Sequence, residues 1–141
     1  MDRIQRYRIA YFVDAWTVVV ALLVQVSLIG LWLFSGQPTL GLHMEFGHAI
    51  TLMVFGLLVL AFTGRLPGAM RLRTILLAGL MTLQTEVFAF IPGSPLRAFH
   101  SVLPLVIFSL AASLAYSSTP FVRDRPKGTT FPLGVGGSRA D

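Results

Sequence analysis

Four long apolar runs, separated by short breaks rich in glycine and proline, decide what this chain can become. They cover residues 15–34, 46–62, 74–91 and about 101–116, each near the roughly 20 residues a helix needs to cross a bilayer's hydrocarbon core. With 55% of its 141 residues hydrophobic and only 12% charged, the sequence has too little polar surface to keep four such runs in water. In lipid, each segment must satisfy its own backbone amides, and the alternation of a half-buried strand is absent. The expected fold class is therefore all-α, a four-transmembrane-helix bundle.

Charge orients the bundle. Of eleven lysines and arginines, ten fall on one side of a four-pass topology: Arg3, Arg6 and Arg8; Arg65, Arg71 and Arg73; and Arg123, Arg125, Lys127 and Arg139. Only Arg97 lies opposite. Basic residues gather on the cytoplasmic side of multi-pass proteins, so both termini and the middle loop are expected in the cytoplasm. The net charge of +5 is then a topological signal, with no nucleic-acid partner implied. The basic tail can touch anionic lipid.

The first apolar run is too long for a signal peptide and lacks a small-residue cleavage site, so it is expected to be a retained helix. Residues 1–116 read as one four-helix transmembrane domain. Residues 117–141 read as a basic, Pro/Gly-rich cytoplasmic tail, largely disordered. With no cysteine in the sequence, disulfides, thiolate metal ligands and a covalently attached c-type haem are excluded. No phosphate-binding glycine loop or nucleophile elbow occurs, so an electron-transfer or accessory role fits better than a stand-alone enzyme.

Polar groups inside a membrane are costly, so their placement carries the functional signal. Gln25 lies in the outer half of the first helix, and the second opens with His43, Glu45 and His48. Gln84 and Glu86 lie one to two turns from the outer end of the third helix, and His100 opens the fourth. All fall in the outer half, while the inner half holds little beyond serine and threonine. His43 and His48 are five residues apart, roughly 140° around a helix, and cannot easily share one metal. His43 stacks over Gly47, Ile50 and Val54; His100 stacks over Pro104, Ile107 and Ala111. Pro104 cannot donate to the carbonyl of residue 100, so a kink is expected at the histidine. Asp14 sits at the cytoplasmic edge, within reach of water, Arg8 or Arg73.

Gln25 with Gly30, Leu42-His43 followed by Gly47, then Gln84, and Phe99-His100 with Pro104 and Leu105 resemble an uncharacterised family of small four-helix bacterial membrane proteins. The resemblance covers about residues 15–116. The sequence departs from the family's pattern in having Phe99 where a leucine is usual, and in carrying His48 and Glu86. The resemblance implies a site made by His43, His100, Gln84 and Gln25, and implies no settled activity.

Three readings of this cluster are weighed. In the first, His43 and His100 from facing helices are the axial ligands of one b-type haem. Gly30 and Gly47 would admit the porphyrin, Phe46, Phe88 and Phe99 would wall it, and Gln25 and Gln84 would orient the imidazoles. Electrons would pass at the outer face of a bacterial cytoplasmic membrane, to or from a quinone or a partner subunit. In the second, copper or zinc is bound by His100 with His48 and Glu86 or Glu45. In the third there is no cofactor: the cluster is a polar network in an accessory subunit of a larger membrane complex or in a homo-oligomer. A proton or solute conduit through Glu86 is a further alternative. Glu86 itself is expected to be protonated or paired with His48 or Arg97.

Overall fold

The computed structural model describes residues 1–87 and 98–123, and the described residues form helices and short turns without a strand. α1 spans Arg3–Ser35, α2 Leu40–Thr63, α3 Gly68–Thr82, α4 Phe99–Ser117 and the short α5 Pro120–Arg123. A π-helical turn, Leu83–Val87, continues α3. The expected helix-three ending at Ile91-Pro92-Gly93, the lone outer Arg97, the wall residue Phe88 and the tail beyond Arg123 lie outside the described residues.

Helix ends follow local chemistry. Asp2 caps α1 by accepting from the Gln5 amide at 2.7 Å, so the basic, aromatic lead-in forms the first turns of the helix itself. At about 1.5 Å per residue, the 33-residue α1 is on the order of 50 Å long and outreaches the bilayer core. Gly36 stops it in the left-handed region at φ +63° and bonds back to the Leu31 carbonyl, a conformation that suits a residue without Cβ. α2 ends at Gly64, whose amide bonds the Leu60 carbonyl at 2.9 Å. Arg65 then turns left-handed at φ 49°, and Leu66 closes the turn on the Ala61 carbonyl at 3.0 Å.

One repeat organises the packing. The buried seam of α1 is Tyr11, Ala15, Val18 and Leu22, and that of α3 is Met70, Thr74, Leu77 and Met81. α2 buries Ile50, Val54, Leu57 and Ala61, and α4 buries Ile107, Ala111 and Leu114, with Ser118 just past its end. All four seams step by alternating fours and threes, the spacing of left-handed bundles with knobs-into-holes packing. The seam of α1 matches that of α3 position for position, and that of α2 matches α4. The chain is thus two similar helix pairs, a symmetry that the order of apolar runs only hints at.

α1 packs on α2 and α4, and α3 packs on the same two helices, so α1 and α3 share one diagonal and α2 and α4 the other. At the end carrying the basic residues, Tyr11 and Thr74 hydroxyls meet across the first diagonal at 2.8 Å. There Arg8 donates to the Gly64 carbonyl at 3.0 Å and lies over the Phe121 ring. Gln5 bonds the Phe121 carbonyl at 2.6 Å, so ordered helix extends past the expected boundary at residue 116, folding α5 back onto α1. Asp14 forms no ion pair with Arg8 or Arg73 among the described residues; Arg73 reaches Ser113 instead.

Three helical stretches, Arg3–Ser35, Leu40–Thr63 and Phe99–Val122, are long and apolar enough to cross a membrane. Their outward residues, among them Val20, Val26, Leu52, Val59 and Leu105, are large, apolar and exposed, a surface compatible with contact to a lipid bilayer. α3 is the shorter member, with 15 α-helical residues before its π turn. Hydroxyls within the helices bond back to their own turns, Thr17 to Val13, Ser27 to Leu23 and Ser109 to Leu105, which gives each of these donors an acceptor within its own helix.

Candidate functional site

Continuing the seams away from the basic end, by one step in α1 and α3 and by two in α2 and α4, reaches Gln25, Gln84, His43 and His100. The side chains singled out by residue type are thus the last layer of the same heptad ladder that builds the core. Gln25 and Gln84 stand on the α1/α3 diagonal, His43 and His100 on the α2/α4 diagonal. Gln84 is buried at 7% exposure, while Gln25, His43 and His100 are half-buried. Relative to the Tyr11–Thr74 contact, the layer lies about 15–20 Å along the bundle, taking the rise of an α-helix.

The two helix pairs bond their layer residues alike. Gln25 donates its side-chain amide to the His43 carbonyl at 2.7 Å, and Gln84 donates to the His100 carbonyl at 2.8 Å. A carbonyl only accepts, which fixes the orientation of both amides. The two carbonyls are made accessible by different means at equivalent positions. In α4, Pro104 lacks the amide hydrogen that would occupy the His100 carbonyl. α4 continues as helix through Pro104, and Gln84 takes the freed acceptor. In α2 the matching residue is Gly47, and a Cβ there would stand 3.0 Å from the Gln25 Nε2 atom. Glycine lets the glutamine in. The space over Gly47, expected to accept something flat, is filled by the Gln25 amide. Gly30 has no neighbour within 4 Å of where a Cβ would stand.

His43 donates from Nδ1 to the Gln25 backbone carbonyl at 3.1 Å. In the neutral ring this bond places the proton on Nδ1 and leaves a lone pair on Nε2, the tautomer of a metal-ligating histidine. The side-chain oxygens of Gln25 and Gln84 are buried and accept no hydrogen bond among the described residues. Two buried acceptors of this kind suit a donor-bearing group or water. Below the layer, the Thr51 hydroxyl bonds the Gly47 carbonyl at 3.0 Å and lies 3.4 Å from that of Thr85.

His48 and Glu86 form a separate pair. Nε2 of His48 lies 3.5 Å from the Glu86 carboxylate, the partner that sequence reasoning offers for Glu86. Nδ1 of His48 bonds the Met44 carbonyl at 2.9 Å, and Glu45 is exposed. Among the described residues no three histidine or carboxylate side chains gather to hold a metal. The set of His100, His48 and Glu86 or Glu45 is thus not brought together. Sequence reasoning misses the contact of Tyr11 with Thr74 and the burial of Ser118, at the basic end of the seams. The four-three spacing was the available signal for them, because it extends unbroken from the histidines.

Residues 25–91 match the model of a family of unknown function (DUF6220). The matched segment fits an uncharacterised domain and holds Gln25, Gly30, Leu42-His43, Gly47 and Gln84. No curated protein and no solved structure matches the chain.

Proposed function

We propose that the protein is a small membrane cytochrome in which His43 and His100 ligate one b-type haem near the outer face. The observation that carries this reading is their placement: equivalent seam positions on diagonal helices of one bundle, with the Nδ1 atom of His43 held on a carbonyl. Helical bundles build cofactor sites from inward side chains at such positions. The donor set fits the group, since two imidazoles are the usual axial pair of a low-spin b haem. Gln25 and Gln84 would hold the histidine backbones, and their spare oxygens would meet donors carried by the occupant. Haem entry requires the Gln25 amide to leave the face of Gly47. When bound, the haem supplies one-electron chemistry; the protein fixes the imidazoles and excludes water.

The topology belonging to this reading is four-pass, with α3 completing the fourth crossing and both termini in the cytoplasm of a bacterial cell. Arg3, Arg6, Arg8, Arg65, Arg71 and Arg73 at one end support it. The Gln–His layer then faces outward. The sequence holds three histidines, so a second bis-histidine haem on the inner side has no ligands. Electrons exchange at the outer face with a quinone or a partner subunit.

The alternative is an accessory subunit without a cofactor. Its support is that both glutamine amides already bond backbone carbonyls, stitching α1 to α2 and α3 to α4. Absorption spectra of detergent-purified protein from haem-replete cells separate the two. A Soret band with sharp reduced α and β bands is expected, lost in His43→Ala and in His100→Ala. A folded, colourless wild-type protein that copurifies with a larger complex would sink the cytochrome reading.

A further inference from the structure

Beside the Gln–His layer, a groove of about 290 Å³ opens between α2 and the α3 π turn, lined by His48, Thr51, Leu52, Phe55, Thr82 and Glu86. One end is polar, with His48 facing Glu86; the other is apolar, with Leu52 and Phe55 both exposed. We propose that this groove is the binding site for the head of a lipid-soluble quinol, its hydroxyl bridging His48 and Glu86. That the occupant is a redox lipid rests on the cytochrome reading above.

The hydrogen-bond geometry of the pair carries the argument. Because His48 donates from Nδ1 to the Met44 carbonyl, its neutral ring presents a lone pair at Nε2. A carboxylate presents only lone pairs. Two acceptors face each other at 3.5 Å, longer than a charge-assisted hydrogen bond, and need a proton between them. A hydroxyl entering from the lipid side supplies it, its single proton shared between the two acceptors as a three-centre bond. The π turn supports a built site, since such turns break regular bonding and collect where side chains are re-aimed for function.

Depth and size choose the occupant. His48 lies about 12 Å along α2 from its first residue, by helical rise, below the level of charged headgroups. A phosphate or ammonium carried that deep is costly, whereas a neutral ring with hydroxyls is not. The groove is at the small end of ligand sites: it suits one substituted ring and is too small for a porphyrin. Leu52 and Phe55 then continue as a track for an apolar tail.

The test uses the full-length protein in nanodiscs with a photoactivatable azidoquinone, reduced to the quinol, and maps the labelled peptides by mass spectrometry. Labelling of α2 and α3 is expected, displaced by a short-tail quinol. His48→Ala removes the acceptor. Glu86→Gln supplies an amide that donates to His48 and closes the pair without a ligand. Each is expected to reduce labelling about tenfold, and both positions are roughly half exposed, so the core is untouched. Unchanged labelling in both variants overturns the proposal. Displacement by excess phosphatidylethanolamine as effective as by quinol overturns it in favour of a headgroup site. Haem bands recorded on the same samples keep the two readings apart: lost labelling with intact bands condemns only the groove, and absent bands with specific labelling condemn only the cytochrome.

Discussion

Gln84 and Pro104 illustrate how one residue's missing atom becomes another's binding site. If the freed His100 carbonyl is what Gln84 serves, restoring the helix amide should make the glutamine redundant. Gln84→Ala is expected to destabilise the wild-type bundle by about 0.5–1 kcal/mol. In a Pro104→Ala background the same change should cost close to nothing, a coupling read from a double-mutant cycle of unfolding in mixed micelles. Equal costs in the two backgrounds would show that the proline and the glutamine act independently. Each glutamine and histidine of this layer stands out in the sequence, because a polar group in an apolar run is conspicuous. What the sequence does not display is that their bonds go to backbone carbonyls. That depends on how closely two helices approach, which at Gly47 is set by the absence of a single Cβ.

Element boundaries divide into those written locally and those imposed by packing. The stop after α2 is local. A Cβ on Gly64 would lie 2.8 Å from the Leu60 carbonyl oxygen, a backbone atom that no rotamer change can move. Gly64→Ala should therefore lower the midpoint of thermal unfolding in detergent, by the equivalent of about 1–3 kcal/mol. Its neighbour should do the reverse. Arg65 holds φ 49° at a steric cost that glycine does not bear, so Arg65→Gly should stabilise by about 1 kcal/mol. A neutral or destabilising result there would mean that its side chain contributes more than its backbone costs. The starts of α1 and α3 were not legible from apolar runs, since both helices begin on arginine-bearing turns. Those turns are held as helix by the Asp2 cap and by packing of the arms at the basic end. α4 continues as helix through Pro104, and Gln84 takes the acceptor that the proline leaves bare.

At the scale of the whole molecule, the arrangement is a ladder closed by polar contacts at both ends: Tyr11 with Thr74 at one, the Gln–His layer at the other. Tyr11→Phe removes the diagonal bond and should cost about 0.6 kcal/mol, without changing any spectrum belonging to the far layer. The four-pass topology has a direct test, because the chain has no cysteine and single cysteines can be introduced without background. Arg6→Cys and Thr119→Cys should react with a membrane-impermeant maleimide only from the cytoplasmic side, and Gln37→Cys only from the outside. Labelling of residues 6 and 119 from opposite sides would mean that α3 does not cross the membrane.

By itself, the sequence determined that this chain is helical and has the apolar lengths of a membrane protein, because hydrophobic run length and backbone satisfaction in lipid leave no other solution. It also marked the polar residues, since each stands against an apolar background. Only the tertiary structure decided through which atoms they meet. Seam register placed Gln25, His43, Gln84 and His100 in one layer and sent His48 to an outward-facing groove with Glu86. A helix fixes the angle between its own residues, but the facing partner is chosen by how four helices pack around a shared axis.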